Sequence, residues 1–357
     1  MHLKTVVAMS GGVDSSVAAF LLKSQGHDVI GITMRLFHNE DVGLERERPC
    51  CSLEDISDAA SVSAKLGIPH YVFDFTSDFD SEVIGRFVSG YMSGSTPNPC
   101  IDCNRYMKFN RLRNKVRALD FDRIATGHYA VIERAADGRY LLRKGIDETK
   151  DQSYVLCNLT QEQLGQVIFP LGSLKKNEVR QIALEQGLIN ARKRESQDIC
   201  FVKSGTYADF IEKYTGAGSE EGDFVDRNGR VIGRHRGLIR YTIGQHKKLG
   251  LPSSHKEWFV CSKDVKNNTI TLGDEEDLYT RTVYANDINL IALDEIRSPL
   301  RLKAKIRYKQ REEWAVVEQV GPDRIRINFD EPQRAPAKGQ AAVLYDGDIV
   351  VGGGTIE

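Results

Sequence analysis

Thr5-Val6-Val7-Ala8-Met9-Ser10-Gly11-Gly12-Val13-Asp14-Ser15-Ser16, followed by Val17-Ala18-Ala19-Phe20-Leu21-Leu22 and closed near Gly26, decides the architecture. The apolar run from Val6 to Met9 reads as a buried strand, Ser10-Gly11-Gly12 as a tight turn, and Val17 to Leu22 as the apolar face of a helix. Such a strand-turn-helix binds phosphate. Gly11 and Gly12 let the backbone approach an anion with no Cβ in the way, and Ser15 and Ser16 add hydroxyls where the first helical N–H groups point outward. The loop lacks the lysine of G-x-x-x-x-G-K-[ST], so it is not built to hold a transferring γ-phosphate. A plain glycine turn explains Gly11 and Gly12 but not the serines and aspartate around them.

Working outward, Val29 to Phe37 reads as a second parallel strand, and the charged stretch from His38 to Pro49 as a mobile loop over the site. Helical spacing over Leu53 to Leu66 leads to a strand from Tyr71 to Phe75, and a further helix fits Phe79 to Tyr91. Thr96-Pro97-Asn98-Pro99-Cys100 breaks all periodicity, helix resumes from Asn104 to Leu119, and a short strand over Arg123 to Thr126 ends at Gly127-His128. Strands alternating with helices predict an α/β fold with a doubly wound parallel sheet, its ligand crevice at the carboxyl ends of the strands.

Later helices fit Leu174 to Gln186 and Tyr207 to Tyr214, and Thr215 to Ser219 is the best linker. Beyond it the composition turns β-rich: Phe224-Val225-Asp226 against Val231-Ile232-Gly233, and Trp258 to Cys261 against Thr269 to Leu272. Short alternating segments over Leu302 to Tyr308, Trp314 to Val320, Arg324 to Phe329 and Ala341 to Tyr345 suggest a small antiparallel barrel. The expected division is a catalytic domain over 1–204, a small β-rich central domain over 205–280 and a C-terminal antiparallel β-barrel over 281–357.

The 357 residues carry a net charge of −1, which gives no global nucleic-acid signature, so RNA binding would need local basic patches. Lys175-Lys176 and Arg192-Lys193-Arg194 are such patches, read equally well as solvated faces. Neither a signal peptide nor a membrane span is visible, and a cytoplasmic location is expected. An odd count of 7 cysteines argues for reduced thiols rather than a disulfide scaffold. Cys100-Ile101-Asp102-Cys103 stands before a helix, where the dipole is expected to lower a thiol pKa, and Cys200 lies beyond a basic run that also favours thiolate. A zinc site would need a second paired motif, and none is visible, so no metal ligand is assigned. Cys157 and Cys261 sit in apolar runs and read as core, Met34 reads equally as core, and Cys50-Cys51 reads as a helix start without a role.

Ser10-Gly11-Gly12-Val13-Asp14-Ser15 resembles the loop of the ATP pyrophosphatase (PP-loop) superfamily, which splits ATP between the α and β phosphates. Thr96-Pro97-Asn98-Pro99, Cys103-Asn104, Lys108-Phe109, Ala125-Thr126-Gly127-His128-Tyr129 and Lys150-Asp151-Gln152-Ser153-Tyr154 follow in order. So do Ser196-Gln197-Asp198-Ile199-Cys200-Phe201, Arg240 to Gln245, Gly339-Gln340 and Gly352 to Ile356. The set is similar to the bacterial tRNA-specific 2-thiouridylase family along the whole chain.

The resemblance implies an enzyme that uses ATP and Mg2+ to adenylate C2 of the wobble uridine of tRNA of the Lys, Glu and Gln type. Sulfur transfer then gives 2-thiouridine, AMP and pyrophosphate. It implies ATP contacts from Ala8, Met9, Ser10, Gly11, Gly12, Val13, Asp14, Ser15, Met34 and Gly127, with Asp14 also catalytic. Cys103 is the implied nucleophile and Cys200 the persulfide carrier, the two able to close a disulfide that a reductant reopens. Asn98, Pro99 and Cys100 would approach the base, and His128, Lys150, Asp151, Gln152, Arg307, Tyr308 and Gln340 would contact tRNA. Many relatives carry Asp at position 100, so a general base is not assumed at Cys100. A cysteine desulfurase or a sulfur-relay protein would be the donor. Alternatives are the same reaction through a [4Fe–4S] cluster on Cys100, Cys103 and Cys200, another PP-loop adenylating ligase, and a non-catalytic tRNA-binding module.

Overall fold

The computed structural model describes residues 3–37, 51–194, 199–202, 205–251 and 256–357. The expected loop from His38 to Pro49, Cys50, and Ser196-Gln197-Asp198 lie outside them.

Strand β1 (Lys4–Ala8) carries the fully buried Val6 and Val7 and lies between β2 (Asp28–Arg35) and β4 (Arg123–Ala125), both parallel to it; β3 (His70–Asp74) lies beyond β2. Helices α1 (Val13–Ser24) and α2 (Cys51–Leu66) follow β1 and β2. The chain then forms a hairpin, β5 (Ala130–Arg134) and β6 (Tyr140–Lys144), before β7 (Val167–Ile168) completes the sheet in the order β3-β2-β1-β4-β7. Because β1 connects to β2 on one side while β4 lies on the other, the loops after β1 and β4 meet at the switch point, where a ligand crevice opens.

Two further sheets follow. β8 (Gly222–Val225), β9 (Val231–His235), β10 (Phe259–Asp264) and β11 (Thr269–Gly273) pair in the order β10-β11-β8-β9, with both expected hairpins present. β12 (Tyr279–Leu290), β13 (Leu300–Lys305), β14 (Glu313–Gly321), β15 (Arg324–Arg334), β16 (Ala341–Asp346) and β17 (Ile349–Ile356) form an antiparallel barrel closed by the β12–β17 pairing. The hairpin β5–β6, absent from the sequence reading, joins the barrel through Ile349↔Arg143 and Val350↔Leu142. One apolar cluster, including Tyr154, Leu156, Val343 and Tyr345, thus spans the first and last parts of the chain. Among the described residues no helix is long and apolar enough to cross a membrane.

One boundary is corrected. Helix begins at Pro99, not Asn104, running through Pro99–Asp102, a π-helical stretch Cys103–Leu112 and Arg113–Ala118. Proline is compatible with the first helical position, where its missing N–H has no intrahelical partner to lose, and the Asn98 side chain caps the turn by accepting from the Cys100 N–H at 3.1 Å.

Candidate active site

Gly12, the N-cap of α1, is extended and offers no side-chain cap, so the leading N–H groups of the helix are left for an anion. Gly11 has φ +72°, and a Cβ there would come within 2.3 Å of the Asp55 carbonyl oxygen on α2. Gly127, after β4, lies so close to α1 that a Cβ would come within 2.8 Å of the Ser15 nitrogen. The Ser15 and Ser16 hydroxyls, expected beside the outward-pointing N–H groups, donate to the Gly12 carbonyl at 3.1 and 3.0 Å. The Ser10 N–H donates to the Ser15 Oγ at 3.2 Å, and the buried Asn190 amide donates to the Gly11 carbonyl at 3.0 Å and the Ser16 Oγ at 2.8 Å. The Met9 and Val13 side chains are core, while Ala8 and Met34 pack on the edge of a neighbouring cluster.

Asp14, in the first turn of α1, accepts from Lys176 Nζ at 2.7 Å on each oxygen and from the Tyr129 hydroxyl at 2.7 Å. Lys176 is therefore neither a solvated face nor an RNA contact; it is buried at the start of the helix Lys176–Glu185, with its charge offset by Asp14. Lys193 is likewise taken up by Asp55 and Asp58 at 2.7 and 2.5 Å, whereas Arg192 and Arg194 remain exposed. Tyr129, Lys176 and Asn190 were given no site role from the sequence, although Tyr129 closes the quoted run Ala125 to Tyr129 and Lys176 lies in the Lys175-Lys176 patch; no sequence signal marked Asn190.

The proline segment is braced by the barrel: Thr96 N–H donates to the Lys338 carbonyl at 2.7 Å, and the Gln340 amide donates to the Thr96 carbonyl at 2.5 Å. Gln340 thus positions the loop that carries Asn98 and Pro99. Next to it a cavity of about 240 Å³ is lined by Arg86, Asn98, Asp102, Arg105, Tyr106 and Thr355, among others. Burial raises the Asp102 carboxyl to about 6, against the opposing pull of Arg86 and Arg105.

The expectation of depressed thiol pKa values fails. Burial pushes the Cys103 thiol up, Lys108 pulls it down, and Cys100 and Asp102 add to the rise. Cys100 reaches solvent on one side, yet packing around it raises its thiol as well, again against Lys108. Desolvation of the anion outweighs a helix terminus here. Cys103 packs on the same apolar cluster as Ile199, Phe201 and Val202, which flank the exposed Cys200, and as Ala8 and Met34. Phe201 is held among Phe79, Phe87 and Phe210, with ring centroids 5.9, 5.2 and 5.2 Å away. Among the described residues no disulfide joins Cys100, Cys103 and Cys200 to one another, and no three His, Cys, Asp or Glu side chains are grouped to hold a metal. Cys157 is fully buried, as expected, and Cys261 half-buried.

Of the candidate tRNA contacts, several are engaged inside the protein. Asp151 accepts from the N–H groups of Gly145 and Ser153 and from the Ser153 hydroxyl, and Gln152 exchanges hydrogen bonds with the Tyr129 backbone at 3.0 Å. His128 is buried between Phe109 and Phe169, bonded to Thr126 at 2.7 Å, and burial holds its pKa well below 6.5. Lys150 and Arg307 are half-exposed, and Arg307 donates to the Ala335 carbonyl. Tyr308 is the most open of the set, 38% exposed, and near enough to Cys100 to feel its charge.

Because the unfolded chain protonates His128 near 6.5 while the fold keeps it neutral, the unfolded state binds more protons below that value, and stability falls as pH falls. Melting curves of the parent chain and His128→Phe should therefore diverge below about pH 6.5, the parent losing up to about 1.4 kcal/mol more per pH unit. Parallel pH profiles would show that His128 is protonated in the fold.

A parallel sheet with a glycine loop at its switch point, extended by a four-stranded sheet and a closed barrel, defines a HUP-domain protein with two appended β modules. The family models described as tRNA methyl transferase HUP domain, tRNA methyl transferase PRC-barrel domain and aminomethyltransferase beta-barrel domain match residues 3–204, 208–274 and 280–356. Proteins named tRNA-specific 2-thiouridylase MnmA align end to end: 50% identical in Clostridioides difficile, over 100% of this chain and 99% of that one. The Acetivibrio thermocellus relative is 48% identical over 99% of each chain, and that of Clostridium acetobutylicum 44% over 100% of each. The chain belongs to the tRNA-specific 2-thiouridylase family.

Proposed function

We propose that this chain converts the wobble uridine of tRNA to 2-thiouridine, with ATP as activator and a cysteine persulfide as sulfur source. The observation that carries the reading is the single apolar cluster on which Cys103, the residues flanking Cys200, and Ala8 and Met34 beside the phosphate loop all pack. That shared packing supports a reading in which the two thiols and the nucleotide, distant in sequence, serve one reaction.

The C2 oxygen of uridine is a poor leaving group. Its attack on the α-phosphorus of ATP forms the C2–O–AMP bond and releases pyrophosphate, which the uncapped start of α1 receives. Asp14 holds the Lys176 ammonium at the phosphate loop, and a bound Mg2+ would add further positive charge against the departing pyrophosphate. Asn98 and Pro99 hold the base at the cysteine turn. The terminal sulfur of a Cys200 persulfide then forms a bond to C2 as AMP leaves. Cys103 thiolate attacks the Cys200 sulfur, the S–S bond breaks with its electron pair going to the sulfur on C2, and a Cys103–Cys200 disulfide remains for a reductant to open. Alternatively Cys103 first frees the sulfur as sulfide, which attacks C2. A cysteine desulfurase or relay protein reloads Cys200, and Arg307, Tyr308 and Lys150 approach the tRNA. This chemistry belongs in the cytoplasm with its substrate.

The test is product analysis with unmodified tRNA, ATP and a loaded sulfur donor. AMP and pyrophosphate should accumulate in step with 2-thiouridine. Release of ADP and phosphate would contradict the reading.

A further inference from the structure

We propose that Lys108 is a positioning residue, one π-helical turn from Cys103, whose ammonium stabilises the Cys103 thiolate as it attacks. Ordinary helical geometry, with about 3.6 residues per turn, would turn residue 108 away from residue 103. The stretch Cys103–Leu112 is instead π-helical, and its i→i+5 winding brings residues five apart onto one face. Lys108 thereby lies one turn from Cys103. Its Nζ donates to the Asn104 Oδ1 at 2.9 Å, and the Asn104 amide, itself 3% exposed, donates to the Val155 carbonyl at 2.9 Å. A buried amide thus fixes where the ammonium stands. Among the described residues no carboxylate pairs with Lys108, so its charge is left to the groups it faces.

One π-helical turn back on that face stands the Cys103 thiol. Of the charged neighbours that act on Cys103, Lys108 alone favours the anion, while Cys100 and Asp102 oppose it along with burial. Cys100 is drawn down by the same ammonium, and the neighbouring His128 is kept neutral partly by it. A buried thiol at a helix start, with the dipole overcome by desolvation, needs a local cation to be a nucleophile at neutral pH, and this fold supplies one by changing its helical winding.

The inference rests on the reading of Cys103 as an attacking thiol, but alkylation reports the thiolate itself and needs neither tRNA nor ATP. The experiment is the pH profile of Cys103 alkylation by iodoacetamide in the full chain, followed by peptide mass spectrometry, with Cys200 in the same sample as internal control. Lys108→Met is expected to move the Cys103 profile to higher pH and slow the reaction near neutral pH about tenfold, the effect of removing an adjacent opposite charge. Lys108→Gln, which keeps the stem and a donor for Asn104, should slow it equally and serves if the methionine variant fails to fold. Lys108→Arg should restore most of the rate, and Cys200 should be unchanged in all three. A Cys103 profile unmoved by Lys108→Met and Lys108→Gln, or restored as well by glutamine as by arginine, overturns the proposal. A shifted profile in a chain that makes no 2-thiouridine would leave it standing while removing the proposed reaction.

Discussion

Asp14→Ala is expected to lower AMP transfer to tRNA by about 100-fold or more while leaving tRNA affinity close to that of the parent chain, an effect of the size seen when one preorganised electrostatic partner is removed. Asp14 stands in the first turn of α1, where the phosphates would arrive, and its two oxygens fix both the Lys176 ammonium and the Tyr129 hydroxyl. Without it, Lys176 and Tyr129 each lose the Asp14 carboxylate as a partner. The alanine variant also takes a counter-charge from a buried ammonium, so part of any loss would be structural. Asp14→Asn separates the two effects, since it keeps the shape and an acceptor but not the charge. Its AMP transfer should fall comparably at a melting temperature nearer the parent's. The measurement is formation of adenylated tRNA from α-labelled ATP without sulfur donor, beside filter binding of tRNA. A variant that adenylates at the parent rate would remove Asp14 from the mechanism.

The phosphate loop was legible because its information is local: glycines, serines and an aspartate between a buried strand and an apolar helix face. Alternation likewise revealed the barrel strands, whose two faces differ. The hairpin β5–β6 was not legible. Its strands are short and carry Glu133, Arg134, Arg143 and Lys144, and the strand it joins, β17, lies far along the chain. The helix start was misplaced because two prolines read as a breaker, although the second sits where proline is tolerated. Lys176 was misread for a similar reason: its partner Asp14 is 162 positions away, and a pair of adjacent lysines says nothing about that. The thiol pKa values went the wrong way because the dipole argument is local, while desolvation is set by the packed cluster around Cys103.

The second large effect divides the work of the two thiols. Cys103→Ser should still accept persulfide sulfur on Cys200 and still adenylate tRNA, yet fall to background in 2-thiouridine. Cys200→Ser should take up no sulfur at all. The structural ground is the contrast in their settings. Cys103 is fixed one turn into a capped helix that the barrel braces through Thr96, Lys338 and Gln340, which suits a group that must strike at one point. Cys200 is exposed beside the anchored Phe201, open to a donor while its neighbours stay on the cluster that Cys103 shares. Wild-type protein turned over without reductant should yield a Cys103–Cys200 disulfide in peptide maps, a bond not formed in the structure. The most direct measurement is to load the chain from a cysteine desulfurase with isotopically labelled sulfur and to locate the label by peptide mass spectrometry. The label is predicted on Cys200 in both the parent chain and Cys103→Ser; label on Cys103 with none on Cys200, or on neither thiol alongside stoichiometric iron, would contradict it.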